Sequence, residues 1–203
     1  VRQLSAEGVL SAQPDLILLS GAAGPPAALE LIEASGVEII QMETEYTIDA
    51  ILEKTQRIGE VLEIEEEAGL LAGQIASDWQ DAEAQIMALD LSPTVLFFAT
   101  LNDGAPRAAG TETAAHGIIE LMGGSNLFDT HTGYKALSLE SAVAADPDII
   151  LVMSHHAARI GGVDSVVSHP AISLTRAAQT GMIFLVDPVT VMQFSPRTPA
   201  AIA

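Results

Sequence analysis

Two adjacent histidines, His155 and His156, directly follow residues 148–153, an almost wholly apolar segment that is predicted to be a buried strand. In parallel α/β proteins, ligands bind at the carboxyl ends of the strands, so these imidazoles would stand where a ligand is bound. An imidazole nitrogen can bind a metal ion or, when protonated, an anion. We predict that one of the two contacts an anionic or metal-bearing ligand. A polar histidine of a surface loop would look the same in the sequence.

Two arginines, Arg2 and Arg159, fall in predicted loops before and after a long predicted helix. The chain has only 8 basic residues against 27 acidic ones, so the position of each arginine is informative. A guanidinium can bind a carboxylate through two parallel hydrogen bonds. We predict that Arg2 and Arg159 bind a ligand that carries carboxylates. The alternative, which is equally open, is that each pairs with a surface Asp or Glu.

One pattern occurs twice in the chain: Leu-Ser-x-Glu and, six residues later, Pro-Asp-[Leu/Ile]-Ile-Leu. The first copy begins at Leu4 and the second at Leu137, so Glu7 and Glu140 hold the same place in the two copies. Each glutamate could simply favour the positive end of its own helix. The alternative is that the two carboxylates, one in each lobe, form ion pairs with arginines of a partner protein. The repeat itself suggests two similar lobes.

A long helix is predicted between the two copies, over residues 65–89. Apolar residues recur at steps of three or four and form one stripe, made of Ala68, Leu71, Ile75, Trp79, Ala82 and Ile86. Two lobes joined by a rigid helix would divide the chain into an incomplete N-terminal lobe (1–64), a linking helix (65–90) and a C-terminal lobe (91–203).

The segments on both sides of this helix alternate between apolar strands and helices, which indicates an α/β fold with parallel sheets in each lobe. The predicted strands are 16–19, 37–41, 94–100, 148–153 and 182–186; the other predicted helices are 5–12, 25–34, 47–61, 111–122, 139–145, 163–167 and 174–179; loops are predicted at 102–110 and 154–162.

The composition narrows the choice of partners. A net charge of −19 argues against nucleic acid and anionic membrane surfaces, and favours a monomer because copies of the chain repel each other. The absence of cysteine excludes disulfides and thiolate metal sites. No apolar run is long enough to span a membrane. Because the chain starts at Val1 without Met and stops abruptly at Ala203, we expect that it is truncated at both ends.

The motifs of several enzyme classes are missing, among them the phosphate-binding glycine loop, Gly-x-Ser-x-Gly and His-Glu-x-x-His. An α/β enzyme that uses Glu112, Asp103 or His116 as acid or base stays an alternative. It requires a buried pair of a carboxylate and a histidine at the strand ends. A purely structural module of two lobes is a further alternative.

Several segments of the chain resemble the haemin-binding proteins that feed bacterial ABC importers. They are LSAEGVLSAQPDLILLSGAAGPP, AAGTETAAHGIIELMGGSNLF, GYKALSLESAVAADPDIILVM and PRTPAAIA. These proteins belong to the class III periplasmic binding proteins, in which one long helix joins two α/β lobes, together with the cobalamin and siderophore binders. The resemblance implies a non-enzymatic periplasmic protein of iron uptake that holds haem between its lobes as transported ligand.

The resemblance also implies roles for single residues. Glu7 and Glu140 match the glutamates that dock onto arginines of the permease dimer in the inner membrane, and Arg2 and Arg159 would lie at the haem. The tyrosine that commonly ligates the iron in this family would stand just before Val1, outside the chain. Residues 101–104 lack the histidine that some members supply there, which argues against iron bound by two ligands in that way; His155 or His156 is the candidate substitute. A cobalamin or a ferric siderophore is the alternative ligand within the class.

Overall fold

The structure is a computed structural model that describes residues 4–21, 23–101, 106–187 and 193–202. The chain divides into two compact units, Val1–Glu45 and Tyr46–Ala203. The predicted division at residues 64 and 90 stays a prediction.

The described residues of the first unit contain two parallel strands and two helices: α1 (Ala6–Leu10), β1 (Leu16–Ser20), α2 (Pro26–Glu33) and β2 (Glu38–Met42). The strands pair in parallel over five residues, beginning with Leu16 opposite Glu38. Ala28 and Ile32 of α2 are buried together with apolar side chains of α1 and the strands. Both strands that the sequence predicted here are confirmed.

In its described ranges, the second unit contains the long helix and a sheet of six strands. Its elements are α3 (Ile48–Val61), α4 (Glu65–Ala88), β3 (Thr94–Thr100), β4 (Arg107–Ala109), α5 (Ala114–Leu121), β5 (Ser125–Asn126), β6 (Tyr134–Ala136), α6 (Leu139–Ala145), β7 (Ile149–Met153), α7 (Ser154–Ile160), α8 (Val163–Val167), α9 (Arg176–Thr180), β8 (Ile183–Val186) and α10 (Thr198–Ile202).

Helix α4 has 24 residues, which confirms the long helix predicted from the apolar stripe. Ala68 and Ala82 of the stripe are buried, but Leu71 is 43% exposed and Ala72 is buried in its place. Helix α3 packs along α4, and a Cβ atom on Gly59 would lie only 2.3 Å from the Cβ of Ala68. Glycine at this position therefore allows the two helices to pack closely.

The strands of the sheet lie in the order β6-β4-β3-β7-β8, with β5 beside β3. The central strands β3, β7 and β8 run parallel. Leu96 and Phe98 of β3 pack in one buried cluster, while Val95 and Phe97 pack in another that includes residues of α5. Both faces of β3 are thus covered, as is usual for parallel sheets.

One edge of this sheet differs from the prediction. Strand β4 runs antiparallel to β3, and β6 runs antiparallel to β4. The sequence predicted parallel strands only and a loop over residues 102–110, so this part of the prediction was wrong. With three residues each, β4 and β6 are too short to show the alternation by which a strand is recognised in a sequence.

The sequence repeat corresponds to the same local structure in both units, a short helix, a turn and a strand. Ser5 and Ser138 are the N-caps of α1 and α6, and their hydroxyl oxygens accept from the backbone N–H three residues later at 3.2 and 3.0 Å. Gln13 and Asp146 take left-handed backbone conformations, with φ of 51° and 41°, in the turns. The repeated pattern therefore encodes a capped helix, a turn and a strand in both units; the strand is buried in the second copy (β7), whereas β1 is partly exposed.

Asp148 joins three elements at the amino end of the sheet. Its Oδ2 accepts hydrogen bonds from the backbone N–H and the hydroxyl of Thr94 at 2.9 and 2.6 Å. Its Oδ1 lies 2.7 Å from Nη1 of Arg176. The hydroxyl and amide of Thr94, and then the charge of Arg176, hold the pKa of Asp148 below its ordinary value of 3.8, although desolvation opposes the shift. The network fixes β3, β7 and α9 at one end.

We expect Asp148→Asn to destabilise the protein more at neutral than at acidic pH. Because the folded state lowers the pKa, the carboxylate stabilises the fold above pH 3.8, and this contribution is lost as the pH falls through the folded-state pKa. Urea unfolding from about pH 3 to about pH 7 should show the two free energies of unfolding diverging as the pH rises. The control is Asp81→Asn, at an exposed position of α4. A difference that does not depend on pH would contradict the prediction.

Candidate functional site

The carboxyl ends of the parallel strands form the candidate ligand edge of the second unit. Strands β3, β7 and β8 end at Thr100, Met153 and Val186, and their pairing places these ends side by side. Ligands of open α/β sheets bind at this edge. The residues that follow β3 and β8 at this edge, 102–105 and 188–192, lie outside the described residues.

Helix α7 starts at the end of β7 with no loop between them. The sequence predicted a loop over residues 154–162, and this prediction was wrong. Met153 has an extended backbone as N-cap, and Gly161 closes the helix in the left-handed region with φ of 109°. A signal for this helix was present, since a basic residue in the last turn, Arg159, and a glycine directly after the helix, Gly161, are typical of a helix C-terminus.

His155 and Arg159 lie four residues apart on α7, and both are exposed. Residues at this spacing share one face of a helix. Within the part of the chain that the structure describes, no carboxylate lies within 4.0 Å of the Arg159 guanidinium, whereas Arg57 and Arg176 both form ion pairs. The α7 face defined by His155 and Arg159 is therefore a site where a carboxylate could bind without breaking an existing pair.

His156 has a different environment from its neighbour. It is only 5% exposed, and its Nε2 accepts a hydrogen bond from the backbone N–H of Leu101 at 2.7 Å. The sequence treated the two histidines as equivalent candidates for a ligand contact. The structure separates them, because the Nε2 lone pair of His156 is already used inside the protein.

The remaining haem-site candidate of the sequence, Arg2, lies outside the described residues. Among the described residues, no group of three or more His, Cys, Asp or Glu is placed to hold a metal ion. Likewise, no helix in the described ranges is long and apolar enough to cross a membrane.

Glu7 and Glu140 occupy the same position of equivalent helices. Each is the second residue of its helix, directly in the first turn after the serine cap, and each is exposed. A carboxylate in this place is stabilised by the helix dipole. It can also bind a cationic group of a partner, because neither glutamate forms an ion pair with a described residue.

Among the residues proposed for an acid–base enzyme, the two that the structure describes, Glu112 and His116, do not form the pair that this chemistry needs. His116 lies in α5, 3.3 Å from Oε1 of the exposed Glu120, and its Nδ1 lies 3.2 Å from the side-chain amide of Asn126. Glu112 is exposed and is not bonded to His116, and Asp103 lies outside the described residues. His116 therefore belongs to a structural network around the buried Asn126, whose amide also bonds the carbonyl of Ala109 at 3.0 Å.

Known proteins with solved structures share this fold. The periplasmic heme-binding protein BhuT, in complex with two hemes, is 30% identical with a TM-score of 0.94 over 99% of this chain and 76% of its own. The heme-binding protein RhuT from Roseiflexus sp. RS-1 is 32% identical with a TM-score of 0.90, over 99% and 77% of the two chains.

Sequence comparison identifies a curated relative, the cobalamin-binding protein of Halobacterium salinarum, which is 27% identical over 96% of this chain. The chain spans about half, 53%, of the length of that relative. These relatives are binding proteins. The profile of the family described as Periplasmic binding protein matches residues 1–190. This protein therefore belongs to the periplasmic binding protein family.

Proposed function

We propose that this chain is part of the substrate-binding component of an ABC importer that takes up haem for its iron. The observation that carries the proposal is the similarity over 99% of the chain to two proteins named as heme-binding, at 30% and 32% identity. The segments that resemble haemin-binding proteins in the sequence support the same ligand. In this proposal haem is cargo, bound in the periplasm and released unchanged.

In a chain this acidic, an anionic ligand is expected to bind next to one of the few basic residues. Haem carries two propionate carboxylates, and a chain with a net charge of −19 repels an anion unless a local cation binds it. Arg159 offers such a cation on an exposed helix face at the ligand edge. Its guanidinium can bind a propionate through two hydrogen bonds. We assign the same role to Arg2.

We propose two candidates for the axial ligand of the haem iron. One lies at the ligand edge of this chain and the other lies outside this chain. The tyrosine expected just before Val1 would supply a phenolate, a hard anionic donor that suits ferric iron. His155 is the candidate within the described chain, because it is exposed and shares its helix face with Arg159. His156 is left out of the ligand set, since its Nε2 is bonded to Leu101.

For the partner we propose that Glu7 and Glu140 bind basic residues of the permease. Their equivalent positions, their exposure and the repeated serine caps support this role, because a docking protein with two similar halves can present one carboxylate from each. Charge pairs of this kind mainly set the encounter rate and the orientation of a complex.

A second candidate ligand is cobalamin. It is favoured by the 27% identity to the Halobacterium salinarum cobalamin-binding protein over 96% of this chain. Cobalamin lacks the two free propionates of haem, so it would leave Arg159 without its proposed partner.

A titration of the full-length protein with haemin and with cyanocobalamin tests the ligand. We expect haemin to give a saturable shift of its Soret band, because coordination by an axial ligand changes the electronic environment of the iron. An excess of cyanocobalamin should not displace it. If cyanocobalamin binds and haemin shows no shift of its Soret band, the haem assignment would be overturned in favour of cobalamin.

The docking role is tested with a double variant, Glu7→Lys and Glu140→Lys. Haem binding should be unchanged, while stimulation of the permease ATPase in proteoliposomes should fall by roughly tenfold or more, because like charges would face each other. The matched control is Glu65→Lys with Glu66→Lys, which makes the same charge change in the first turn of α4. Full stimulation by the first double variant would refute the docking assignment.

A further inference from the structure

We propose that His156 is a positioning residue, which fixes the α7 face defined by His155 and Arg159 at the ligand edge through its bond to the end of β3. This inference rests on the proposed function, since it gives that face a ligand to bind.

The bond spans two neighbouring elements that are far apart in sequence. Leu101 follows the last residue of β3, and His156 is the third residue of α7, 55 residues later. The strands that lead to them are paired up to Phe98 opposite Val152. The contact between Leu101 N–H and His156 Nε2 therefore continues the cross-link between β3 and β7 beyond the last backbone pair, at the edge itself.

The chemistry of the bond makes it specific. Leu101 is 2% exposed, so its N–H has no access to bulk water and needs an acceptor within the protein. The imidazole supplies the acceptor with Nε2, which requires the neutral ring with its proton on Nδ1. An aliphatic side chain at position 156 would leave the buried N–H without a partner, and that is costly.

The helix geometry directs the two adjacent histidine side chains to different sides of α7. Successive residues of an α-helix point about 100° apart, so His156 can face the sheet while His155 faces outward. Ala157, also on the inner side, is fully buried in the main apolar cluster with Val166 of α8. That packing anchors α7 to the core independently of the imidazole, so loss of the bond should loosen the link to β3 without unfolding the helix.

The test compares His156→Leu with His156→Gln in the full-length protein. Gln can place its side-chain oxygen near the position of Nε2 and restore the acceptor, whereas Leu fills the space without one. We expect His156→Leu to release haemin roughly 10-fold faster, because losing a hydrogen bond that supports ligand-binding residues commonly weakens binding by this factor or more. His156→Gln should return the rate close to the wild-type value, with the wild-type Soret band.

Histidine 169 offers a matched control. His169 Nδ1 also accepts a backbone N–H, that of Ala171 at 3.2 Å, but it follows α8 in the chain rather than a strand. His169→Leu should leave the haemin release rate unchanged. Equal haemin release rates for the Leu and Gln variants at position 156 would overturn the proposal, whether these rates are raised or remain at the wild-type value.

A measurement without ligand separates this proposal from the proposed function. Amide hydrogen exchange at Leu101, followed by NMR, should be slow in the wild type and in His156→Gln and faster in His156→Leu. If haemin does not bind but this pattern holds, the proposed ligand fails while the cross-link stands. If the Leu101 amide exchanges equally fast in all three proteins, the cross-link is absent and the proposal fails whatever the ligand.

Discussion

The parallel ladder of β3, β7 and β8 is the constraint on which the rest of the second unit depends. Both faces of β3 are covered by apolar side chains, so polar functional groups can only stand at the strand ends. The two ends differ in their use. At the amino end, Asp148 binds Thr94 and Arg176 and fixes the strands. At the carboxyl end, α7 starts without a loop and presents His155 and Arg159 outward.

The acidic composition of the chain makes the environment of each arginine informative. Of the five arginines that the structure describes, Arg57 and Arg176 form ion pairs with carboxylates, whereas Arg107, Arg159 and Arg197 do not. Arg159 has no such partner among the described residues, although it is exposed. An unpaired cation at a ligand edge of an acidic protein is consistent with a site for an anion that arrives from solution.

Much of the architecture could be predicted because its signals are long or periodic. Helix α4, the strands β3 and β7 and the repeated helix–turn–strand follow from apolar stripes, buried runs and capping serines. Short elements were not predicted: β4 and β6 have three residues each, and α7, with seven residues, begins with the polar run Ser-His-His, which is typical of a loop. The separate tasks of His155 and His156 could not be predicted, because they depend on a contact with Leu101, 55 residues away.

The central claim is that Arg159 on α7 binds a propionate of haem, and the most direct measurement compares the haemin affinity of Arg159→Ala with that of Arg57→Ala. Both variants remove one exposed arginine, but Arg57 is paired with Glu60 on α3. The account predicts about tenfold weaker binding for Arg159→Ala, which corresponds to about 1.4 kcal/mol, and no loss for Arg57→Ala. The difference should vanish with haemin dimethyl ester, whose carboxylates are blocked. Equal haemin affinities of the two variants would contradict the account.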